Sequence, residues 1–257
     1  MSICFSMKSF FNKLFFILYL FILSWSCSSQ PVDNNIHQLL LMNSYDLDIP
    51  EPSGLSLGSS GQCLWIVSDP PDNRVYKTNL IGDIITVLDF QGKDLEGVWF
   101  DKISGRLWLV EENDRELVEL DTLGQFINRY EISGSWSDEN GFEGICRDSY
   151  NNFWIANEKE PVLIIRLDMN FGVKAQYTPP MAEDVSGLFC PEGQDTLWVL
   201  SDESRLLLKW HPDYGVLNYF ELDVPKPEGV AIDYRNEIIY MVSDSKNKLY
   251  KLRFPLD

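Results

Sequence analysis

Carboxylates recur at two fixed offsets along this 257-residue chain. Directly before five regularly placed glycines stand Ser53, Glu96, Glu143, Ser186 and Glu228. Four residues after five regularly placed aromatics stand Asp69, Glu112, Glu158, Asp202 and Asp244, so this second column is acidic throughout. If both columns face one point, repulsion among the carboxyls raises their pKa values and creates a demand for a cation. An all-oxygen, histidine-free set suits calcium better than zinc or copper. Glu96, Glu143 and Glu228 are therefore candidate metal ligands, and Asp69, Glu112, Glu158, Asp202 and Asp244 candidate ligand contacts. A structural reading competes for the second column: an Asp or Ser closing a strand caps the next turn, and Ser68-Asp69, Ser201-Asp202 and Ser243-Asp244 are suited to that.

Other chemistries find little support. Past the N-terminal segment the only histidines are His37 and His211, each expected to be an ordinary strand or turn residue, so no His-centred triad can be assembled. There is no glycine-rich phosphate loop and no zinc spacing. Cys63, Cys146 and Cys190 lie in apolar, strand-like stretches and are expected to be buried, unpaired and unreactive, the odd number arguing against a closed disulfide framework. The formal charge of -18 makes nucleic acid and anionic head groups poor partners, although surplus carboxylates also simply keep an exported protein soluble.

The elements that must position these acids follow from an internal repeat. Gly54, Gly97, Gly144, Gly187 and Gly229 are spaced by 43, 47, 43 and 42 residues, and Trp65, Trp108, Trp154, Trp198 and Tyr240 follow them at 10 or 11 residues. Each unit reads as four short strands: in the first, 54–57, 63–67, 75–78 and 84–90, with turn residues such as Gly58-Ser59-Ser60-Gly61 between them. Four strands per repeat of this length predict an all-β fold, a five-bladed β-propeller. The last unit lacks a fourth strand, while 38–47 precedes the first glycine as an orphan strand; it is expected to complete blade five and close the ring. A sixth blade would need about as many residues as another repeat. Only 133–140, which fits the repeat poorly, speaks against five.

The runs Glu51-Pro52-Ser53-Gly54-Leu55, Leu64-Trp65-Ile66-Val67-Ser68-Asp69, Leu95-Glu96-Gly97-Val98, Asn157-Glu158-Lys159-Glu160-Pro161, Asp184-Val185-Ser186-Gly187-Leu188 and 200–208 resemble the SdiA-regulated family of bacterial β-propellers. The resemblance covers 48–254 and implies a propeller that is exported or membrane-associated, related in architecture to NHL-type repeats. It implies no reaction.

Residues 1–26 read as a signal peptide: Lys8 and Lys13 precede ten apolar residues, Leu14 to Leu23. At ~1.5 Å per residue these span about half a bilayer core, so a cleaved segment is favoured over a permanent helix. Ser26-Cys27 resembles a bacterial lipobox in which Cys27 carries the lipid, although Ser24 stands where an aliphatic residue is usual. Residues 27–36 would then be the lipidated cysteine and a polar tether, and 37–257 the propeller domain. The expected protein is a cell-envelope lipoprotein, monomeric, bound to the membrane through its anchor. It would act as a binding or scaffold module for a protein or a cationic ligand, with calcium as the candidate cofactor at an acidic channel mouth. The alternative is a calcium-dependent hydrolase, similar to the gluconolactonase or phytase propellers, acting on a lactone or phosphoester. Glu96, Glu143, Asn157 and Asp202 around one ion would favour that enzyme; a wide acidic funnel would favour binding.

Overall fold

The computed structural model of the protein describes residues 38–134 and 140–255. The signal segment, Cys27, the tether and His37 lie outside these residues, as does most of 133–140.

The described chain folds into five four-stranded antiparallel sheets. Blade one comprises β2 (Pro52–Leu57), β3 (Leu64–Ser68), β4 (Arg74–Thr78) and β5 (Ile84–Gln91), and blade two β6 (Leu95–Asp101), β7 (Arg106–Glu111), β8 (Glu116–Asp121) and β9 (Phe126–Glu131). Blade three has β10 (Phe142–Arg147), β11 (Phe153–Asn157), β12 (Leu163–Leu167) and β13 (Val173–Tyr177), and blade four β14 (Gly187–Phe189), β15 (Leu197–Ser201), β16 (Leu206–His211) and β17 (Gly215–Glu221). Blade five holds β18 (Pro227–Asp233), β19 (Ile238–Ser243) and β20 (Lys248–Arg253). Its outer strand is β1 (Leu40–Asp46), paired antiparallel to β20. The expected closure by the N-terminal strand is thus observed, and the ring has five blades.

Burial follows position in the blade. The inner strands β2, β6, β10, β14 and β18 are largely buried, whereas β1, β5, β9, β13 and β17 are far more exposed. Five apolar clusters lie between successive blades, one per interface, including the one between blades five and one. The repeat aromatics are what fill them: Trp65, Trp108, Trp154, Trp198 and Tyr240 are all buried, each against the following blade. Lys77, Arg166 and Lys209 lie over the rings of Trp65, Trp154 and Trp198, shielding apolar edges with their stems.

The repeat glycines have a different task, close approach between inner strands. A Cβ on Gly54 would sit 2.5 Å from the Glu96 carbonyl oxygen, and one on Gly187 2.8 Å from that of Glu228. Gly97, Gly144 and Gly229 meet the next inner strand's backbone in the same way. The ring therefore closes backbone against backbone at its narrowest point, where no side chain fits.

That tight inner ring corrects the cysteine expectation. Cys146 on β10 and Cys190 just beyond β14 form a disulfide with Cα atoms 5.5 Å apart. They lie 44 residues apart in sequence, and the adjacency of inner strands brings them together. Cys63 remains a free thiol, only partly buried, with its pKa pushed up chiefly by desolvation.

Candidate functional site: an acidic channel mouth

Four of the five blades pair the opening of the inner strand with the end of the second strand: Pro52 with Ser68, Leu95 with Glu111, Phe142 with Asn157 and Pro227 with Ser243. In these four ladders the register slips at the residue before the repeat glycine. Such a bulge bends the strand and re-aims one side chain. The slipped residues are Ser53, Glu96, Glu143 and Glu228, the first of the two sequence columns. The second column follows directly on the ends of β3, β7, β11, β15 and β19, so both columns open on one face near the axis.

The two columns interact. Ser53 Oγ donates to Glu96 Oε2 at 2.6 Å, linking blades one and two. Glu96 and Asp69 share a hydrogen bond; burial first, then each other's charge, holds Glu96 well above the usual carboxylate range, and burial lifts Asp69 to about 6. Glu112 is raised to about 7 by burial and by Asp94, to which it is hydrogen-bonded, while the Gly141 N–H donates to its Oε1 at 3.0 Å. Glu228 reaches about 8 through burial and the charges of Asp244 and Asp202. Glu143 is 7% exposed. Desolvation raises its pKa most, followed by Glu96, Glu228, Glu112 and Glu158, and no hydrogen-bond or ion-pair partner holds its carboxyl among the described residues.

Two lysines enter this face. Lys159 Nζ lies 3.0 Å from Glu158 and 2.7 Å from Glu203, and Lys226 Nζ lies 3.0 Å from Asp244. Both compensate the sector of blades three to five. Two carboxylate groups lie in the sector of blades one to three, each with ligand oxygens within 4.8 Å of one another: Asp69, Asp94 and Glu96, and Glu112, Glu143 and Glu158, the last also held by Lys159. A third such group, Glu111, Asp114 and Glu116, is bound instead by Arg129 and Lys93.

The constellation expected for a hydrolase is not assembled. Asn157 donates its amide hydrogens to the Lys159 and Pro161 carbonyls of its own turn. Asp202 is grouped with Asp184, raised by burial and by that neighbour's charge. Among the described residues, no carboxylate group within 4.8 Å contains Glu96, Glu143 and Asp202 together. His211, the last residue of β16, accepts a hydrogen bond from the Asp213 N–H and faces Asp195 at 3.3 Å.

The capping expected of the strand-end pairs is met in part: Ser201 Oγ accepts the Ser204 N–H and Asp244 accepts the Ser245 N–H. Ser68 and Ser243 tie down the Pro50 and Pro225 carbonyls, and Ser201 bonds Asp184. At the opposite face Asp101, Asp148 and Asp233, four residues after their glycines, accept backbone N–H groups of the following hairpins. That face holds a cavity of about 710 Å³ lined by Leu55, Val98, Ile145, Leu188 and Val230, one residue from each inner strand. The channel thus has one acidic mouth and one with an apolar floor.

A third column escaped the sequence reading. Three residues before the repeat glycines stand Glu51, Asp94, Gly141, Asp184 and Lys226. Asp94 and Asp184 are members of the acidic mouth, and Lys226 one of its cations. The signal was available, four charged residues in five at a fixed offset, but they lie in the crossover ahead of the inner strand, where the repeat gives no strand to align.

The SdiA-regulated family model matches residues 136–253, which bears out the resemblance over that stretch. Among solved structures the chain is similar to glutaminyl cyclase of Myxococcus xanthus, with a TM-score of 0.68 and 15% identity over 86% of this chain and 98% of that one. It is also similar to a streptogramin B lyase, with a TM-score of 0.50 and 17% identity over 82% of this chain and 68% of that one. At such identities the likeness is one of fold.

Proposed function

For a propeller whose residues 136–253 carry the SdiA-regulated pattern, we propose a binding module that captures a cationic ligand at its acidic channel mouth. The observation that carries this reading is the convergence there of carboxyls from all three columns, with Asp69, Glu112 and Glu228 raised to about 6, 7 and 8. Groups so placed destabilise one another when ionised, and a bound cation relieves them. Lys159 and Lys226 do this internally for part of the ring.

In this reading the module is exported and anchored through Cys27, its exposed loops available to a protein partner. The Cys146–Cys190 disulfide suits an oxidising compartment outside the cytoplasm. Two experiments test the proposal. Calcium chloride and spermidine are titrated into the full chain in non-ionic detergent after chelation, followed by calorimetric heat and melting temperature; no saturable response to either removes the cation-binding reading. Membrane fractionation of wild type and Cys27→Ala tests the anchor, which is refuted if both variants partition alike.

A further inference from the structure

Building on the acidic-mouth reading, we propose that Glu112, Glu143 and Glu158 form a divalent-cation site, suited to calcium, at the junction of blades two and three. Glu143 lies at the start of β10, while Glu112 and Glu158 follow β7 and β11, so the site draws on two blades and is completed only when blades two and three pack together. This differs from the sequence expectation, in which Glu96, Glu143 and Glu228 were the metal ligands: only Glu143 is common to both.

Three observations support this position. The first is spacing: one ligand oxygen from each of the three carboxylates lies within 4.8 Å of the other two. Oxygens around a calcium ion, each ~2.3–2.6 Å from the metal, are separated by no more than about twice that length. The second is the state of Glu143. Glu143 is more than nine-tenths buried, yet none of the described residues donates a hydrogen bond to its carboxyl or pairs with it, and the strongest charges acting on it are those of carboxylates. A buried carboxyl with no donor is either held neutral or bound to a cation, and a cation that reaches it displaces the proton. The third is the distribution of internal cations. Lys159 approaches the site only through Glu158 and is shared with Glu203, and Lys226 serves Asp244; neither is ion-paired with Glu112 or Glu143.

The surroundings favour a metal ion over an ammonium group. The Gly141 N–H donates to Glu112 Oε1 at 3.0 Å, the kind of outer contact that orients a carboxylate ligand. An ammonium must direct three N–H donors at tetrahedral angles, as Lys159 does between Glu158 and Glu203. A calcium ion accepts irregular oxygen geometry and fills its remaining positions with water from the channel.

The test compares calcium chloride with spermidine, by calorimetry at pH 8, on the full chain in detergent for wild type, Glu143→Gln and Glu158→Gln. One calcium per chain is expected, weakened at least 100-fold by Glu143→Gln and at least 10-fold by Glu158→Gln, with spermidine binding less affected. Gln keeps the shape of the neutral acid that burial favours at Glu143, so Glu143→Gln should fold and melt no lower than wild type in EDTA, keeping the comparison interpretable. Calcium binding unchanged in both variants overturns the site. Spermidine binding without calcium binding overturns it while leaving the cationic mouth intact, and absence of both defeats the two readings together.

Discussion

Glu228→Gln offers a test of the electrostatics with a magnitude that can be worked out. The wild-type carboxyl stands at about 8 against an ordinary 4.5, because burial and the charges of Asp244 and Asp202 disfavour its ionised form. A folded-state pKa above the unfolded one means that the native chain holds the proton more tightly. The associated stability is present in full below the ordinary glutamate range and is lost as the pH rises through about 8. A tenfold difference in proton affinity between the folded and unfolded chain is worth ~1.36 kcal/mol, so the whole effect approaches ~5 kcal/mol, of which about 4 kcal/mol falls between pH 5 and 9. Glutamine keeps the shape of the neutral acid and cannot ionise. In EDTA the two proteins should therefore melt together near pH 5 and diverge upward, the variant melting higher by roughly 8–16 °C at pH 9, at ~2–4 °C per kcal/mol for a domain of this size. Differential scanning calorimetry across that range is the assay. Parallel curves for the two proteins would refute the premise that Glu228 is held neutral by its surroundings.

Calcium affinity should rise between pH 6 and 8, because Glu112, raised to about 7, must lose its proton to act as a ligand; proton release on binding, measured in buffers of different ionisation enthalpy, checks this. Gly54→Ala would drive a Cβ to 2.5 Å from the Glu96 carbonyl oxygen, and urea unfolding should show a loss of about 3 kcal/mol; a loss below about 1 kcal/mol would mean that the inner ring yields easily. Cys146→Ser should lower stability by about 2–4 kcal/mol and make it insensitive to dithiothreitol, whereas the wild type responds to the reductant. Trp154→Ala should cost about 3–5 kcal/mol in the same unfolding assay, since its ring fills the interface between blades three and four.

Much of the architecture was legible because its signals are local. The alternation of short apolar runs and turns marks strands, and the spacing from Gly54 to Gly229 counts blades without any knowledge of contacts. Even ring closure could be read, since an unpaired strand at one end and a missing one at the other have one economical solution, the pairing of β1 with β20. The acidic columns were legible for the same reason: fixed offsets within a repeat become fixed places in a blade.

Roles within those columns were not. Glu96 and Glu143 occupy equivalent repeat positions, yet one receives a hydrogen bond from Ser53 and the other has no partner among the described residues, because the neighbouring blade differs at that point. Asp202 and Glu158 are likewise equivalent, but a single lysine, Lys159, ties Glu158 to Glu203. Capping is shared among Ser201, Asp244 and, at the opposite face, Asp101, Asp148 and Asp233, because a short side chain at a strand end reaches the N–H groups of the next turn.

By itself, the sequence determined the number of blades, the strand that closes them and the face on which the acids gather, all consequences of short-range patterning repeated five times. Tertiary structure alone decided that Cys146 meets Cys190, that Lys159 and Lys226 compensate part of the ring, and that Glu112, Glu143 and Glu158 come within 4.8 Å of one another. Each of these depends on contacts between different blades or loops. Such distances are set by how closely the glycine-lined inner strands approach and by where each bulge turns its side chain, and no local pattern encodes them.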